Sequence, residues 1–202
     1  NHRVANSLQI IASVLMQRVR SVQSEETRTH LRDAHHRVMS VATLQRQLAT
    51  STAGEVSLRH YFTDLCASIG ASMISDPQLL SLTVDADDSV TTADKSVSMG
   101  LIVTELVINC LKHAFPGGRP GKIEVGYNAR GPNWTLSVAD NGVGIAADKL
   151  EVVFDRFWHN TQRDRSSLGL GLYIARCIVE AHGGRIWAEA EPGVGATFFF
   201  TL

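Results

Sequence analysis

Apolar side chains recur at helical spacing through the first fifty residues, and neither Gly nor Pro interrupts them. Val4, Leu8, Ile11, Leu15, Val19 and Val22 follow at steps of three and four, forming one seam along a 3.6-residue helix. The polar run SVQSEET comes next, with Ser21 or Ser24 available as a cap and Glu25 and Glu26 suited to a helix start. A second seam through Leu31, Ala34, Val38, Val41, Leu44 and Leu48 ends in ATSTAGE, where Gly54 is a plausible stop. Residues 1–53 therefore read as an antiparallel helical hairpin. Two helices with one narrow seam each cannot enclose a core. Pairing with a second copy would give a four-helix bundle that buries both seams, so the pattern predicts a homodimer; a hairpin packed on its own chain is the alternative.

From Glu55 onward the pattern changes, and residues 54–202 read as a second unit. LRHYFTDLCASIGASM predicts a helix and LSLTV a short strand rich in apolar and β-branched residues. ADKSVSMGLIVTELVINCLKHAF predicts a long helix, apolar on most sides and hence central. KIEVGYN and NWTLSVA are strands joined by a turn at ARGP. GLYIARCIVEAHG predicts a helix ended by Gly183-Gly184, and RIWAEAE and ATFFFTL predict a hairpin across EPGVG. The mixed order, with strand pairs on tight turns, predicts an α+β sandwich whose mixed sheet is covered on one face. Asn141 to Leu168 lacks a clear strand, which in a compact domain marks a functional lid or a disordered stretch.

Composition narrows the function without choosing it. The 202 residues, 44% apolar and 19% charged, are ordinary for a globular protein, and the net charge of −1 argues against a nucleic-acid partner. The charge is uneven. Residues 1–53 hold seven Arg against Glu25, Glu26 and Asp33, a local +4, leaving −5 for the remainder. A basic piece of this kind suits an acidic partner or simply a solvated face. Cys66, Cys110 and Cys177 lack metal-ligand spacing and suggest buried thiols in a reducing, cytoplasmic setting. No apolar run approaches the ~18 residues that cross a bilayer, and no secretory signal appears, so no membrane contact is expected. An amphipathic segment at the very first residues reads as a piece of something longer.

Three stretches could carry chemistry. DNGVG (140–144) follows a strand; Gly142 and Gly144 permit positive φ and close approach of a flat ligand, and Asp140 can accept a hydrogen bond from an exocyclic amine. Asn-Gly is equally a common tight turn. LGLGL (168–172) opens a helix, where free N–H groups suit phosphates, although packing glycines explain it as well. In ELVINCLKHAF (105–115), Glu105, Asn109, Lys112 and His113 share one side of the helix. Asn109 offers a metal an oxygen and Lys112 offers phosphate a positive charge, whereas a satisfied polar edge is the simpler reading. Each bland explanation is tolerable alone; the order of the signals makes them jointly improbable.

That order resembles the ATP-binding domain of sensor histidine kinases, with the Bergerat fold shared with gyrase, mismatch-repair ATPases and the heat-shock chaperone. From about residue 95, ELVINCLKHAF resembles the Asn box, DNGVG the first glycine box, FDRFW (154–158) the Phe box, LGLGL the second glycine box and GVGATFFF the closing strand. HRVANSLQII resembles the phosphoacceptor box of the His-Arg-x-x-Asn subfamily, and HHRVMSVATLQRQL its second dimerisation helix. The Phe box and GLYIARCIVEAHGG resemble the more common subfamily, and Ser167 and Leu168 stand where Gly and Thr are frequent. The resemblance implies that His2 takes the γ-phosphoryl group of ATP and passes it to an aspartate of a response-regulator receiver domain, under an upstream sensor module. It implies Asp140 on the adenine amine, Asn109 on Mg²⁺, Lys112 and His113 on phosphates, and Gly142, Gly144, Gly169, Leu170 and Gly171 shaping pocket and lid. Arg3 and Asn6 would orient the His2 ring or contact phosphate, although Arg3 cannot act as a general base. Two rival functions stay open: a phosphotransfer adaptor with weak ATP binding, and an ATPase with Glu105 as its water-activating base.

Overall fold

The computed structural model describes residues 2–25, 27, 28, 30–32, 34, 35, 38, 39, 42, 55–130, 133–158 and 169–202, without the side chains of 2–6, 20, 130 and 133. Helix α1 runs His2–Ser21. Its buried stripe follows Leu8, Ala12, Leu15, Val19 and Val22, with Ala12 at 1% exposure, whereas the predicted seam residue Ile11 stays 48% exposed. A stripe of true helical period drifts toward Ala12, and the small side chain permits close packing there. Ile10 and Val14 are exposed beside Ile11. Ser24 caps the next helical residues, its Oγ accepting from Thr27 N–H at 3.3 Å and its carbonyl from Arg28 N–H at 3.0 Å. Within 25–42 every described residue is helical, and Ala42 is buried. The predicted seam residues Val41, Leu44 and Leu48, and Gly54, lie outside the described residues.

Beyond Glu55 the elements follow β1 (Glu55–Ser57), α2 (Leu58–Met73), β2 (Leu80–Ala86), β3 (Val90–Thr92), α3 (Ala93–His113), β4 (Gly121–Arg130), β5 (Asn133–Asp140), α4 (Gly171–Ala181), β6 (Ile186–Glu191) and β7 (Gly195–Phe200). Five strands form one sheet in the order β2-β4-β5-β7-β6, parallel between β2 and β4 and antiparallel elsewhere. The three-residue strands β1 and β3 pair separately and carry no periodic signal long enough to be read from sequence. Val125 faces Val138 across β4 and β5, and Val138 faces Phe198 across β7, so one register aligns the inward residues.

Those inward residues meet α2 and α3. Phe62, Leu65, Leu106, Val107, Ile123, Leu136 and Phe200 are all but inaccessible. The opposite face of the sheet carries polar residues such as Ser81, Thr83 and Lys122, with Trp187 stacked on Phe199 at 5.2 Å. Among the described residues helices therefore cover that one face, with α4 packed beside α3. Helix α4 stops as its glycines require: Gly183, at φ 73°, donates to the Glu180 carbonyl and Gly184 to that of Val179, a Schellman closure. Among the described residues no helix is long and apolar enough to cross a membrane.

Two outcomes follow from this packing. Phe62→Ala is expected to lower stability by about 3–5 kcal/mol, as measured by denaturant unfolding, since the ring leaves an enclosed cavity. Cys66 and Cys110 are buried, burial pushing the Cys66 thiol up to about 12, whereas Cys177 is exposed. A thiol reagent added to the native chain should therefore react rapidly at one site, and Cys177→Ser should abolish that fast phase.

Candidate active site

Helix α3 carries the polar stripe. Glu105 is 5% exposed, Asn109 and Lys112 are half-buried, and His113 is exposed at the C-terminal turn. Polarity thus increases toward the end of the helix, where the chain opens onto a cavity of about 420 Å³. Asn109, Lys112, His113, Asp140, Gly144, Gly169, Leu170 and Gly171 all line that cavity, so most of the sequence-predicted ligand set converges. Its walls between them are apolar, with Val143, Ile145 and Phe198 among the lining residues.

Asp140 ends β5, where strand pairing with Ile123 and Ala196 fixes its backbone. Its Oδ1 accepts the Gly142 N–H at 2.8 Å, and its Oδ2 accepts the Cys110 thiol at 3.4 Å. The next residue locks the turn to the sheet: Asn141 Oδ1 accepts from Lys122 N–H at 2.7 Å. Gly142 does not line the cavity; it lies against the end of α3, where a Cβ would sit 2.4 Å from the Ala114 carbonyl oxygen. Val143 N–H donates to that same carbonyl at 3.0 Å.

Two close backbone approaches fix the mouth. Gly144 has φ +69°, and a Cβ there would lie 2.1 Å from the Glu191 carbonyl oxygen. Gly195, at φ +144°, passes so close to Asp140 that a Cβ would lie 2.0 Å from its carbonyl oxygen. Both positions demand glycine. Gly193 N–H completes the clasp by donating to the Val143 carbonyl at 2.8 Å.

The far wall comes from the segment that lacked a strand. It contains two short 3₁₀ turns, Ala147–Lys149 and Val152–Phe154, and Phe154 packs edge-on to Phe198 at 6.1 Å. Phe157 holds a positive φ of 65° with the Arg156 guanidinium 4.6 Å over its ring. Its N–H donates to the Gly169 carbonyl at 3.0 Å, joining the two ends of the stretch 159–168, which lies outside the described residues with Leu168 and Ser167. Gly169 adopts φ 60°, Leu170 caps α4, and Gly171 begins it, so the N–H groups of that helix start at the cavity. A Cβ on Gly171 would lie 2.7 Å from Glu105 Oε2 and 3.4 Å from the Asn109 amide. Glu105 thus sits beneath the helix start, next to Asn109, without lining the cavity itself.

Sequence reasoning missed Cys110, Lys149, Trp158 and Pro192 among the lining residues. Cys110 adjoins Asn109 and Lys149 closely follows DNGVG, so proximity to the motifs was the available signal. His2, Arg3 and Asn6 lie at the start of α1, which contributes nothing to the cavity lining among the described residues. Burial, reinforced by the facing Asp140 carboxylate, raises the Cys110 thiol well above its ordinary value and keeps it a proton donor.

Residues 94–202 match the family described as histidine kinase-, DNA gyrase B-, and HSP90-like ATPase, and residues 1–73 match a family described as histidine kinase. The methanogenesis regulatory histidine kinase FilI of Methanothrix harundinacea is 43% identical over 101 residues, half of this chain and 11% of its own length. The sensor protein kinase WalK of Staphylococcus saprophyticus is 37% identical over 107 residues, 52% of this chain and 17% of its own. The chain therefore spans less than a fifth of either relative. The solved histidine kinase domain of the blue-light activated histidine kinase of Erythrobacter litoralis superposes with a TM-score of 0.66, covering 98% of this chain and 92% of that one at 21% identity, a likeness of fold. On these matches, and on the ATPase-type domain that fills more than half of it, the chain belongs to the sensor histidine kinases and carries the phosphoacceptor and catalytic segments of their core.

Proposed function

We propose that this chain is the ATP-dependent protein-histidine kinase core of a two-component system, phosphorylating His2 and serving a response-regulator aspartate. One observation carries the reading most directly. A carboxylate, an amide, an ammonium, an imidazole and a helix start line a single cavity whose remaining walls are largely apolar. Its volume, about 420 Å³, lies within the range of small-molecule sites.

A nucleotide fits that polarity. Asp140 would accept the 6-amino group of adenine, with Val143, Ile145 and Phe198 against the ring faces. Lys112, His113 and the N–H groups at Gly171 would meet the phosphates. Mg²⁺, when bound, neutralises charge on the transferred phosphoryl group and its leaving oxygen. Asn109 supplies one oxygen suited to that ion, and no group of three or more His, Cys, Asp or Glu side chains converges among the described residues. That pattern suits a cation held mainly by phosphates and water.

His2 supplies the nucleophile. A neutral imidazole nitrogen attacks the γ-phosphorus, the bond to the β-bridging oxygen breaks, and the ring proton is released. The chain's contribution is largely positioning and charge neutralisation, which is what phosphoryl transfer requires. Arg3 and Asn6, on the same turns as His2, orient the ring or the phosphate. Glu105, buried beneath the start of α4, would orient the Asn109 amide. Residues 1–53 form the phosphoacceptor hairpin and 54–202 the nucleotide domain. The exposed Ile10, Ile11 and Val14 of α1 give a second copy an apolar surface to cover. Sensor and receiver partners act through this core.

The reading is tested by incubating the chain with γ-labelled ATP and Mg²⁺. Acid-labile, alkali-stable label is expected, lost in His2→Ala and in Asn109→Ala and on chelation of the metal. Label that survives His2→Ala overturns the assignment; phosphate release without label favours an ATPase acting through Glu105, and absent nucleotide binding favours an adaptor. Gly144→Ala, which sets a Cβ against Glu191, is expected to reduce nucleotide affinity at least tenfold in titration calorimetry. Ile11→Asp should shift the chain toward monomer in sedimentation.

A further inference from the structure

The Asp140 carboxylate has two built-in donors, and they differ in kind. Oδ1 is held by a main-chain donor, the Gly142 N–H, at 2.8 Å. Oδ2 is held by a side chain, the Cys110 thiol, at 3.4 Å. Cys110 is 2% exposed and comes from α3, thirty residues before Asp140, so the contact crosses from helix to sheet. It also lines the cavity. A carboxylate offers about four acceptor positions. With one taken on each oxygen, rotation about the Cβ–Cγ bond is restrained and the remaining positions keep a fixed direction.

We propose that Cys110 is a positioning residue for base recognition: its thiol holds the Asp140 carboxylate in the rotation that presents an acceptor to the purine 6-amino group, and thereby sets the preference for adenine. The inference rests on the nucleotide reading of Asp140 given above. Neither the packing of α3 nor the register of β5 needs a donor at 110, because an alanine would fill the helix position without conflict. What an alanine removes is the second restraint on the carboxylate. A thiol is a weak donor, so the restraint is modest, but it acts on a charged acceptor from a buried position on α3, where hydrogen bonds count for more. Discrimination built on a polar group depends on that group's direction, since a misaligned acceptor loses the contact while keeping its desolvation cost.

The test uses the purified chain and two ligands, ATP and purine riboside 5′-triphosphate, which carries hydrogen in place of the 6-amino group. Cys110→Ala is expected to weaken ATP about fivefold and the analogue by less than about twofold, and Cys110→Ser, which restores a donor, to return ATP to within about twofold of the parent. Thermal melting without nucleotide verifies that each variant is folded. A parallel loss for both ligands in Cys110→Ala, or no loss for ATP, overturns the proposal, because a merely structural role does not distinguish them. Asp140→Ala separates this result from failure of the underlying reading. It should bring ATP down to the affinity of the analogue, and adding Cys110→Ala should then change neither. If Asp140→Ala still prefers ATP, the adenine assignment falls and the role of Cys110 with it.

Discussion

Because α3 is enclosed along its middle turns, the polar groups there must either find a partner inside the protein or reach the cavity at its end. Thr104 takes the first course by donating back to the Gly100 carbonyl at 2.8 Å. Asn109, Lys112 and His113 take the second and gather at the C-terminal turns, where the cavity begins. The desolvation cost of polar atoms therefore decides where the chemistry sits. The β5 strand end and the start of α4 are brought to that same opening by the packing of sheet and helices around α3.

The second constraint is the closeness of backbone to backbone around DNGVG. Gly144 against Glu191 and Gly195 against Asp140 leave no room for a β-carbon, so the turn between β6 and β7 lies directly on the loop. The consequence is rigidity on one side of the cavity. Asp140, Gly142 and Val143 are each held by at least one hydrogen bond to a neighbouring element or to their own turn. Among the described residues, the side that runs from Ala147 to Trp158 contains two short 3₁₀ turns and the strained residue Phe157. A hydrogen-bonded wall and a less regular opposite wall suit a site that must both hold and release a ligand.

Much of this was legible in the chain. The bounds of α2 coincide with LRHYFTDLCASIGASM, and α4 ends at Gly183-Gly184 because only glycine enters the left-handed turn cheaply. The candidate ligand residues were legible because their spacing on α3 and their place at element ends are properties of the local chain. Other features were not. β1 and β3 pair through only three residues each, too few for a periodic signal. Ile11 gave way to Ala12 in the buried stripe because hydrophobicity alone does not report the drift of a 3.6-residue period. Cys110, Lys149 and Trp158 meet the cavity only through tertiary packing, and the contact between Cys110 and Asp140 joins residues that nothing local relates.

The hydrogen bond from Phe157 to Gly169 has a bearing on how this site can change. It pins both ends of the intervening stretch to the domain, so the ends meet whatever the stretch contains. Closing a loop costs entropy only as the logarithm of its length, and doubling it adds only about 0.6 kcal/mol. A change of length between those two residues therefore costs the fold little. Chain can be added or removed there while Asp140, Gly142 and Val143 keep the hydrogen bonds that hold the facing turn.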